Sequence, residues 1–454
     1  MFRRILIANR GEIALRIIRA CGGLGIEPVA VFSEADRGAP WLAKASRAVC
    51  IGPARAEESY LNADTILQAA EQAECQAIHP GYGFLAENAL FAARCEQQGI
   101  TFIGPGADAI RRMGDKAEAK RTMAAAGLET ITGSDGTLAD PEEALRLAAA
   151  IGYPVLLKAT AGGGGKGMRR CEGEREVERA FPEAALEAEK AFGNPGLYLE
   201  KFIAGGRHVE FQVLGDAFGR AVHLGERECS VQRHHQKLIE ESPSPVVDAE
   251  ARRATGDRVA RAVASFGYRN AGTVEFLRAP DGRLFFMEMN TRLQVEHPVT
   301  EMVTGVDLVV EQIRIAALHP LALRQEDLAP RGHAIEFRIN AEDPDAGFRP
   351  DPGTIAAFTP PVASLGGVRV RWDSAIEPGC RIPPHYDSMV GKLIVHGPDR
   401  ETALRGAREA LASLRIEGVR TTLPLHRRIL DDPGFRRGEY DLGFLAGPGL
   451  VLAA

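Results

Sequence analysis

Hydrophobic and polar residues alternate with two different periods over the first hundred positions of the chain. The apolar runs that predict β-strands are 5–8, 29–32, 77–79 and 101–103, and the helically spaced ones are 13–21 and 63–73. Strands and helices in alternation build a parallel, doubly wound sheet, so an α/β, Rossmann-like N-terminal domain is predicted. Its first turn, Asn9-Arg10-Gly11-Glu12, lacks the G-x-G-x-x-G spacing of a dinucleotide site, so no nucleotide is assigned there.

Residues 288–296 carry a polar side chain at every second position. In extended backbone the even positions of this run share one face, and they bear two carboxylates, two amides and a guanidinium. Residues 272–277 predict a partner strand, joined to the first by a two- or four-residue loop centred on Asp281-Gly282. This register places Glu275 directly opposite Glu288.

The two opposed glutamates predict a cation between them. Like charges that face each other on neighbouring strands repel unless something cationic lies between. Oxygen ligands from Glu275, Glu288 and Asn290 suit Mg²⁺ or Mn²⁺ holding nucleotide phosphates. An exposed polar strand face is the plainer alternative, and it explains the alternation but not the opposed glutamates.

A glycine-rich stretch follows a second strand signal. Residues 153–158 are an apolar strand that ends in Lys158, and Gly162-Gly163-Gly164-Gly165-Lys166-Gly167 comes almost at once. Successive glycines let backbone N–H groups wrap phosphate oxygens. The P-loop pattern is absent, because Gly167 stands where Ser or Thr is required. A flexible loop is the alternative, but the flanking cations favour a mobile phosphate lid.

Composition and charge indicate a multi-domain enzyme and give no sign of binding to nucleic acid or membranes. The 454 residues correspond to about three domains. A net charge of −6 gives no attraction to nucleic acid or anionic lipid. No apolar stretch approaches the roughly 20 residues of a membrane helix, and the N-terminus lacks a secretory core. Seven scattered cysteines without C-x-x-C spacing indicate reduced thiols, so a cytoplasmic location is expected.

Several longer motifs then occur in order. They are Arg4-Ile5-Leu6-Ile7-Ala8-Asn9-Arg10-Gly11-Glu12, His79-Pro80-Gly81-Tyr82-Gly83-Phe84-Leu85, Met113-Gly114-Asp115-Lys116, Glu288-Met289-Asn290-Thr291-Arg292, Val295-Glu296-His297-Pro298-Val299-Thr300-Glu301, Arg338-Ile339-Asn340-Ala341-Glu342-Asp343 and Tyr386-Asp387-Ser388-Met389. With these motifs the chain resembles biotin carboxylase, the ATP-grasp component of biotin-dependent carboxylases, from residue 4 to about 440. The resemblance implies that ATP phosphorylates bicarbonate and that the resulting carboxyphosphate supplies CO₂ to N1′ of biotin.

The resemblance also implies roles for individual residues. The ATP-binding set would be Lys116, Lys158, Gly164, Gly165, Glu200, Lys201, Ile203, His208 and His235, with Mg²⁺ or Mn²⁺ on Glu275, Glu288 and Asn290. Bicarbonate would be held by Lys237, Arg292, Gln294 and the backbone of Val295, with Glu296 as its general base. The biotin end would comprise Tyr82, Gln232, His235 and Arg338, and Arg338 would stabilise the biotin enolate; Lys237, Arg292, Glu296 and Arg338 form the catalytic set.

Three domains follow from the resemblance: an N-terminal domain over 1–114, an ATP-grasp domain over 115–330 with a mobile lid near 131–203, and a C-terminal α+β domain over 331–454. The Met-Lys dipeptide of biotin-bearing domains does not occur, so biotin is expected on a separate biotin carboxyl carrier protein. A carboxyltransferase is the second expected partner. Relatives commonly form homodimers, and a homodimer is expected here.

The chain departs from the family pattern at three places: Ala161, Gly205-Gly206 and Trp41-Leu42-Ala43-Lys44-Ala45. None of these departures removes a proposed catalytic group. They therefore bear on lid motion and subunit packing, and the expected chemistry is unchanged. Two other functions stay open. One is a different ATP-grasp ligase such as a carbamoyl phosphate enzyme, and the other is a non-catalytic ATP-binding scaffold of a carboxylase complex.

Overall fold

The computed structural model describes residues 1–160, 167–447 and 450. Residues 162–166 of the predicted glycine lid, including Gly164 and Gly165, lie outside these residues. Within them no helix is long and apolar enough to cross a membrane.

The N-terminal unit is the predicted doubly wound sheet. Its strands are β1 (Arg4–Ile7), β2 (Glu27–Phe32), β3 (Arg47–Cys50), β4 (Ala77–His79) and β5 (Thr101–Phe102), and its helices are α1 (Gly11–Gly23), α2 (Ala63–Gln72), α3 (Ala89–Gln97) and α4 (Ala107–Gly114). The order β3-β2-β1-β4-β5 is parallel throughout. Apolar residues of both sheet faces are buried against helices, as such a sheet requires. The predicted strands and helices are confirmed.

A small unit of three strands follows a capped helix. Asp115 accepts a hydrogen bond from the backbone N–H of Glu118, so α5 (Lys116–Ala125) begins with Lys116 in its first turn. The next elements are α6 (Pro141–Ile151), β6 (Val155–Ala159), β7 (Arg169–Cys171), α7 (Glu174–Phe192) and β8 (Leu197–Lys201). Strand β6 lies between β7 and β8, and the two helices cover an alanine-rich core. This unit occupies the region predicted as the lid.

The centre of the molecule is one nine-stranded sheet. Its first strands are β9 (Arg207–Gly215), β10 (Ala221–Arg233), β11 (Gln236–Ser242), β12 (Asn270–Arg278) and β13 (Leu284–Asn290), with α8 (Ala249–Ser265), α9 (His297–Thr304) and α10 (Leu308–Ala316) around them. Strand β14 (His333–Asn340) pairs with β11 and continues the sheet toward the C-terminus. Polar residues of β10 such as Ser230 and Gln232 are buried in the sheet, whereas the hairpin residues 234–236 that follow are exposed.

The C-terminal part completes the sheet and adds helices. Its strands are β15 (Glu342–Asp343), β16 (Arg349–Pro350), β17 (Gly353–Thr354), β18 (Ala357–Thr359), β19 (Ser364–Leu365), β20 (Val368–Ser374), β21 (Arg381–Ile382), β22 (Met389–Gly397) and β23 (Arg415–Glu417), and its helices are α11 (Arg400–Ser413), α12 (Leu423–Asp431) and α13 (Pro433–Arg437). The sheet order is β13-β12-β9-β10-β11-β14-β22-β20-β19. A core of leucine, isoleucine and valine side chains packs α11 and α12 onto it.

Candidate active site

A cavity of about 640 Å³ opens where the N-terminal unit, the three-stranded unit and the nine-stranded sheet meet. It collects predicted site residues from distant parts of the chain. Those that line it are Tyr82, Lys116, Lys158, His208, Gln232, His235, Lys237, Glu275, Glu288, Asn290, Arg292, Gln294, Val295, Glu296 and Arg338. Among the described residues, three of the predicted set lie outside its lining: Glu200, Lys201 and Ile203.

Glu275 and Glu288 face each other across β12 and β13, as predicted. The loop differs from the prediction, however. The amide of Ala279 donates to the carbonyl of Arg283, which leaves a three-residue turn, and a bulge between Glu275 and Phe276 then shifts the register. Without this bulge Met287 would stand opposite Glu275. The carboxylate pair therefore depends on both irregularities.

The strand itself ends earlier than predicted. Backbone pairing stops at Asn290, and Glu296 is the N-cap residue of α9. The prediction that residues 288–296 form one extended face is therefore wrong. The side chains of Arg292, Gln294 and Glu296 nevertheless reach the same cavity from the connecting loop.

Oxygen atoms dominate the predicted metal position. Asn290 Nδ2 donates to Glu275 Oε1 at 2.8 Å, and Lys116 Nζ lies 3.6 Å from Glu288 Oε2. His208 Nε2 lies 3.2 Å from the other oxygen of Glu275. Two carboxylates and an amide oxygen are hard ligands of the kind Mg²⁺ and Mn²⁺ prefer, so the residues fit such a cation.

Lys237 occupies the centre of the buried charges. Its ammonium donates to Glu210 and Glu296 at 2.6 Å each, and to Glu275 and Gln294 at 3.1 Å each. Burial alone would lower the pKa of Lys237, but the three carboxylates raise it well above its usual value. The amine is therefore held as a cation beside the cavity.

Glu296 lies between two cations. Its Oε1 accepts from Lys237, and its Oε2 accepts from Arg338 at 2.8 Å. Burial would raise the pKa of Glu296, but Lys237 and Arg338 outweigh it and lower that pKa. The second partner of Arg338 is Glu240, which accepts from Arg338 Nε at 2.6 Å. Glu296 is thus an ionised carboxylate at the cavity wall.

Arg292 is oriented by a residue that the sequence patterns did not single out. Glu87 accepts from Arg292 Nε at 2.7 Å and from the amide of Thr291 at 3.1 Å. The other end of the guanidinium donates to Asn290 Oδ1 at 3.1 Å. Glu87 directly follows the His79-to-Leu85 motif and Ala86, and that proximity was the one available signal.

A second pair without a predicted role, Lys392 and Glu12, holds Val295 and Tyr82 in place. Lys392, fully buried on β22, donates to the carbonyl of Val295 at 2.8 Å and lies 3.1 Å from Glu12 Oε1. Glu12 in turn accepts a hydrogen bond from the hydroxyl of Tyr82. Helix α1, the loop after β13 and strand β22 thus meet at one ammonium group. No periodicity in the sequence indicates this contact.

Three residues of the predicted nucleotide set lie outside the cavity lining, and each makes a different contact. Lys158 Nζ donates to Glu200 Oε2 at 2.7 Å, so Glu200 contributes by fixing this lysine from behind. Lys201 donates instead to the carbonyls of Gly152 and Tyr153 at 2.9 Å each. Ile203 packs in an apolar cluster with Ile131 and Phe285.

The hairpin between β10 and β11 places His235 at the cavity edge. His234 and His235 both have positive φ values, 47° and 64°. Two left-handed residues form the tight turn that suits the strand twist, at an energetic cost for residues other than glycine. His235 lines the cavity, and Gln232 at the base of the hairpin lies 3.0 Å from His208 Nδ1.

Opposed glutamates on an antiparallel sheet line one cavity with a lysine from the three-stranded unit, and this arrangement is that of an ATP-grasp ligase. Three family models match the chain: "Biotin carboxylase, N-terminal domain" over residues 1–110, "Carbamoyl-phosphate synthase L chain, ATP binding domain" over 115–324 and "Biotin carboxylase C-terminal domain" over 336–447. The chain belongs to the biotin carboxylase family.

Named relatives cover nearly the whole chain. Biotin carboxylase 1 of Bacillus subtilis is 53% identical over 98% of both chains. The biotin carboxylase domain dimer of Hydrogenobacter thermophilus 2-oxoglutarate carboxylase, solved with MgADP, ADP and bicarbonate, has a TM-score of 0.94 and 51% identity, covering 98% of this chain and 97% of that one. The crystal structure of the biotin carboxylase component of a pyruvate carboxylase has a TM-score of 0.84 and 49% identity, covering 98% of both chains. Relatives of similar identity thus serve different carboxylases.

Proposed function

We propose that this chain is an ATP-dependent ligase that carboxylates N1′ of biotin with bicarbonate, through carboxyphosphate. The observation that carries this function is Glu296, an ionised carboxylate held between Lys237 and Arg338 at the wall of the cavity. Family membership supports the same reaction. Because every polar side chain proposed for catalysis is in place, an enzyme is favoured over a non-catalytic scaffold.

The inner end of the cavity suits bicarbonate. Lys237, Arg292 and Gln294 supply donors, and the backbone of Val295 is fixed by Lys392. Bicarbonate is a poor nucleophile until its remaining proton is removed, and nearby cations favour the dianion. Glu296 is ionised and lies 2.6 Å from Lys237, so it is placed to accept that proton as general base.

The biotin ureido group is assigned to the side of the cavity formed by Arg338. A ureido nitrogen loses its proton only when the negative charge on the ureido oxygen is stabilised. Arg338 remains charged at any physiological pH and presents a planar fork of donors. Tyr82, Gln232 and His235 line the same cavity and are assigned to the biotin end.

The nucleotide is assigned to Lys116, Lys158 and His208, with Glu200 behind Lys158. It is further assigned to Lys201 and Ile203 at the adenine end, and to Gly164 and Gly165. Glu275, Glu288 and Asn290 would hold Mg²⁺ or Mn²⁺, which supplies positive charge that stabilises the transferring phosphoryl group. Lys116 lies at the start of α5 and Lys158 on β6, so the two ammonium groups approach the cavity from different elements.

The remaining assignments concern organisation. We place the domains at 1–114, 115–330 with a lid over about 131–203, and 331–454; pairing of β11 with β14 joins the last two through one sheet. We further propose a homodimer that works with a biotin carboxyl carrier protein and a carboxyltransferase. The solved 2-oxoglutarate carboxylase relative is a dimer of biotin carboxylase domains, which supports the first of these.

Substitutions at two positions test the reaction by separating its halves. Glu296→Gln should abolish both ATP cleavage in bicarbonate and transfer of ¹⁴C from bicarbonate to free biotin, because the base is lost. Arg338→Ala should depress carboxybiotin formation by about a hundredfold while ADP affinity and biotin-independent ATP cleavage change far less. Arg338→Lys should recover only part of the rate, since a point charge does not reproduce the fork.

The matched control is Glu311→Gln, a glutamate of α10 paired with Arg314 away from the cavity. It should retain both activities. If Arg338→Ala instead loses nucleotide affinity and carboxylates normally per bound ATP, Arg338 belongs to the nucleotide site and the biotin assignment is wrong. Absence of biotin-dependent turnover in the unaltered enzyme would remove the function itself.

A further inference from the structure

Two buried carboxyl groups lie behind the cavity and are not used by the reaction as described above. Glu240 on β11 and Glu336 on β14 are direct partners across an antiparallel pair. Both are fully buried. Like charges in this position are destabilising in a sheet, so their presence calls for a physical reason.

The two carboxyls differ in their contacts. Glu240 Oε1 accepts from Arg338 Nε at 2.6 Å and lies 2.5 Å from a second guanidinium nitrogen. Among the residues that the structure describes, both oxygens of Glu336 lack a hydrogen-bond partner, as does Glu240 Oε2. Glu240 is therefore bound to the guanidinium from behind, whereas Glu336 is not.

The charges around this pair do not balance if every carboxyl is ionised. Glu240 is faced by Arg338 and Glu336 from β14, Glu296 from the start of α9, Cys229 from β10 and Lys237 on its own strand. Lys237 is already shared with other carboxylates. Glu336 is also faced by Lys392 from β22, which is already paired with Glu12. Arg338 and Lys392 are thus the main cations for Glu240, Glu296 and Glu336, and two cations do not compensate three anions in a dry site.

Burial determines which of the two carboxyl groups holds a proton. It raises the pKa of Glu336 well above its usual value. Burial also raises the pKa of Glu240, but Arg338 opposes this effect, and the result is about 7. The carboxyl without hydrogen-bond partners is the one that is neutral, and the one bound to Arg338 is the first of the two to ionise.

We propose that Glu240 is a positioning residue that fixes the guanidinium of Arg338 toward the biotin ureido oxygen, with Glu336 held beside it as the neutral acid. The inference rests on the proposed function, because it assigns Arg338 to that oxygen. A second ionised carboxylate at Glu336 would cancel the positive charge that Arg338 offers to the substrate. A neutral acid fills the same space and leaves that charge available.

Two isosteric substitutions at facing positions provide the test. Glu240→Gln should lower carboxybiotin formation about tenfold or more and raise the KM for free biotin, while ATP cleavage in bicarbonate without biotin falls much less. Glu240→Asp should recover part of the loss. Glu336→Gln replaces one neutral group by another, so its carboxylation rate should stay within about twofold of the unaltered enzyme.

The outcome of the pair decides the proposal. Equal loss in Glu336→Gln and Glu240→Gln would show that both carboxyls act as charges, and normal biotin kinetics in Glu240→Gln would show that Arg338 needs no such support. If either variant fails to fold, infrared spectra of the unaltered enzyme and of Glu336→Asp at neutral pH replace the kinetic test. A protonated carboxyl band that shifts in Glu336→Asp supports a neutral Glu336. Absence of that band overturns the proposal. No carboxybiotin from the unaltered enzyme would instead count against the proposed function.

Discussion

Glu275 and Glu288 are partners in one strand pair but lie in different environments. The side chain of Glu275 is 5% exposed and that of Glu288 is 36% exposed. Burial would raise the pKa of Glu275, but Lys237 and His208 lower it well below its usual value. Glu275 is therefore an anion already compensated by protein cations, and Glu288 is the ligand more open to a metal that arrives with a nucleotide.

This difference leads to a prediction for Glu288→Gln. The substitution should raise the Mg²⁺ concentration needed for half-maximal activity and lower ATP cleavage in bicarbonate by more than about tenfold, because one anionic ligand to a phosphate-bridging cation is lost. Titrating Mg²⁺ at fixed ATP measures it. Glu250→Gln, at an exposed position in the first turn of α8, serves as the control. Unchanged Mg²⁺ dependence would exclude Glu288 as a metal ligand.

At the scale of elements, departures from regular backbone geometry determine where several of the site residues lie. The bulge in the β12–β13 pair sets which residue faces Glu275, and the early end of β13 frees the loop that bears Arg292, Gln294 and Glu296. The β10–β11 hairpin turns through His234 and His235 in the left-handed region. Such strain persists at functional sites when a side chain is needed at that point.

The two turn histidines form a matched pair for an experiment. His234→Gly and His235→Gly should each relieve a left-handed conformation and stabilise the fold by about 1 kcal/mol. Of the two, only His235 lines the cavity. His234→Gly should therefore retain activity, whereas His235→Gly should raise the KM for ATP or biotin. Urea unfolding and steady-state kinetics of both variants measure this, and equal kinetic effects would contradict a specific role for His235.

At the scale of the whole molecule, the site exists because separate units meet around buried polar groups. Lys392 joins α1, the loop after β13 and β22, as described above. Two histidines are buried nearby in neutral form. Burial lowers the pKa of His79 to about 3 and that of His426 to about 4. His79 Nδ1 accepts from the amide of Gly81, and His426 Nε2 donates to the carbonyl of Arg338.

These histidines predict acid sensitivity of the fold. Between about pH 6.5 and pH 4 the unfolded chain binds protons at these positions that the folded chain does not, so stability must fall as pH decreases. Each contributes a slope of at most about 1.4 kcal/mol per pH unit in that window. His426→Gln should make the decline shallower, whereas His319→Gln, at an exposed site, should not. Urea midpoints at several pH values test this, and identical slopes would contradict it.

The sequence by itself determined the local elements and the chemistry available. Period-2 and helical patterns identified the doubly wound N-terminal sheet, because short-range periodicity is written directly in the chain. The motifs around Glu288, Glu296 and Arg338 carried the family resemblance, and that resemblance implied the reaction. Tertiary structure decided which of these groups act together. The bulge opposite Glu275, the support of Arg292 by Glu87, the Lys392 contact with Val295 and the facing pair Glu240 and Glu336 each join residues from different strands or units. Such contacts arise from the packing of whole elements, and no local pattern records them.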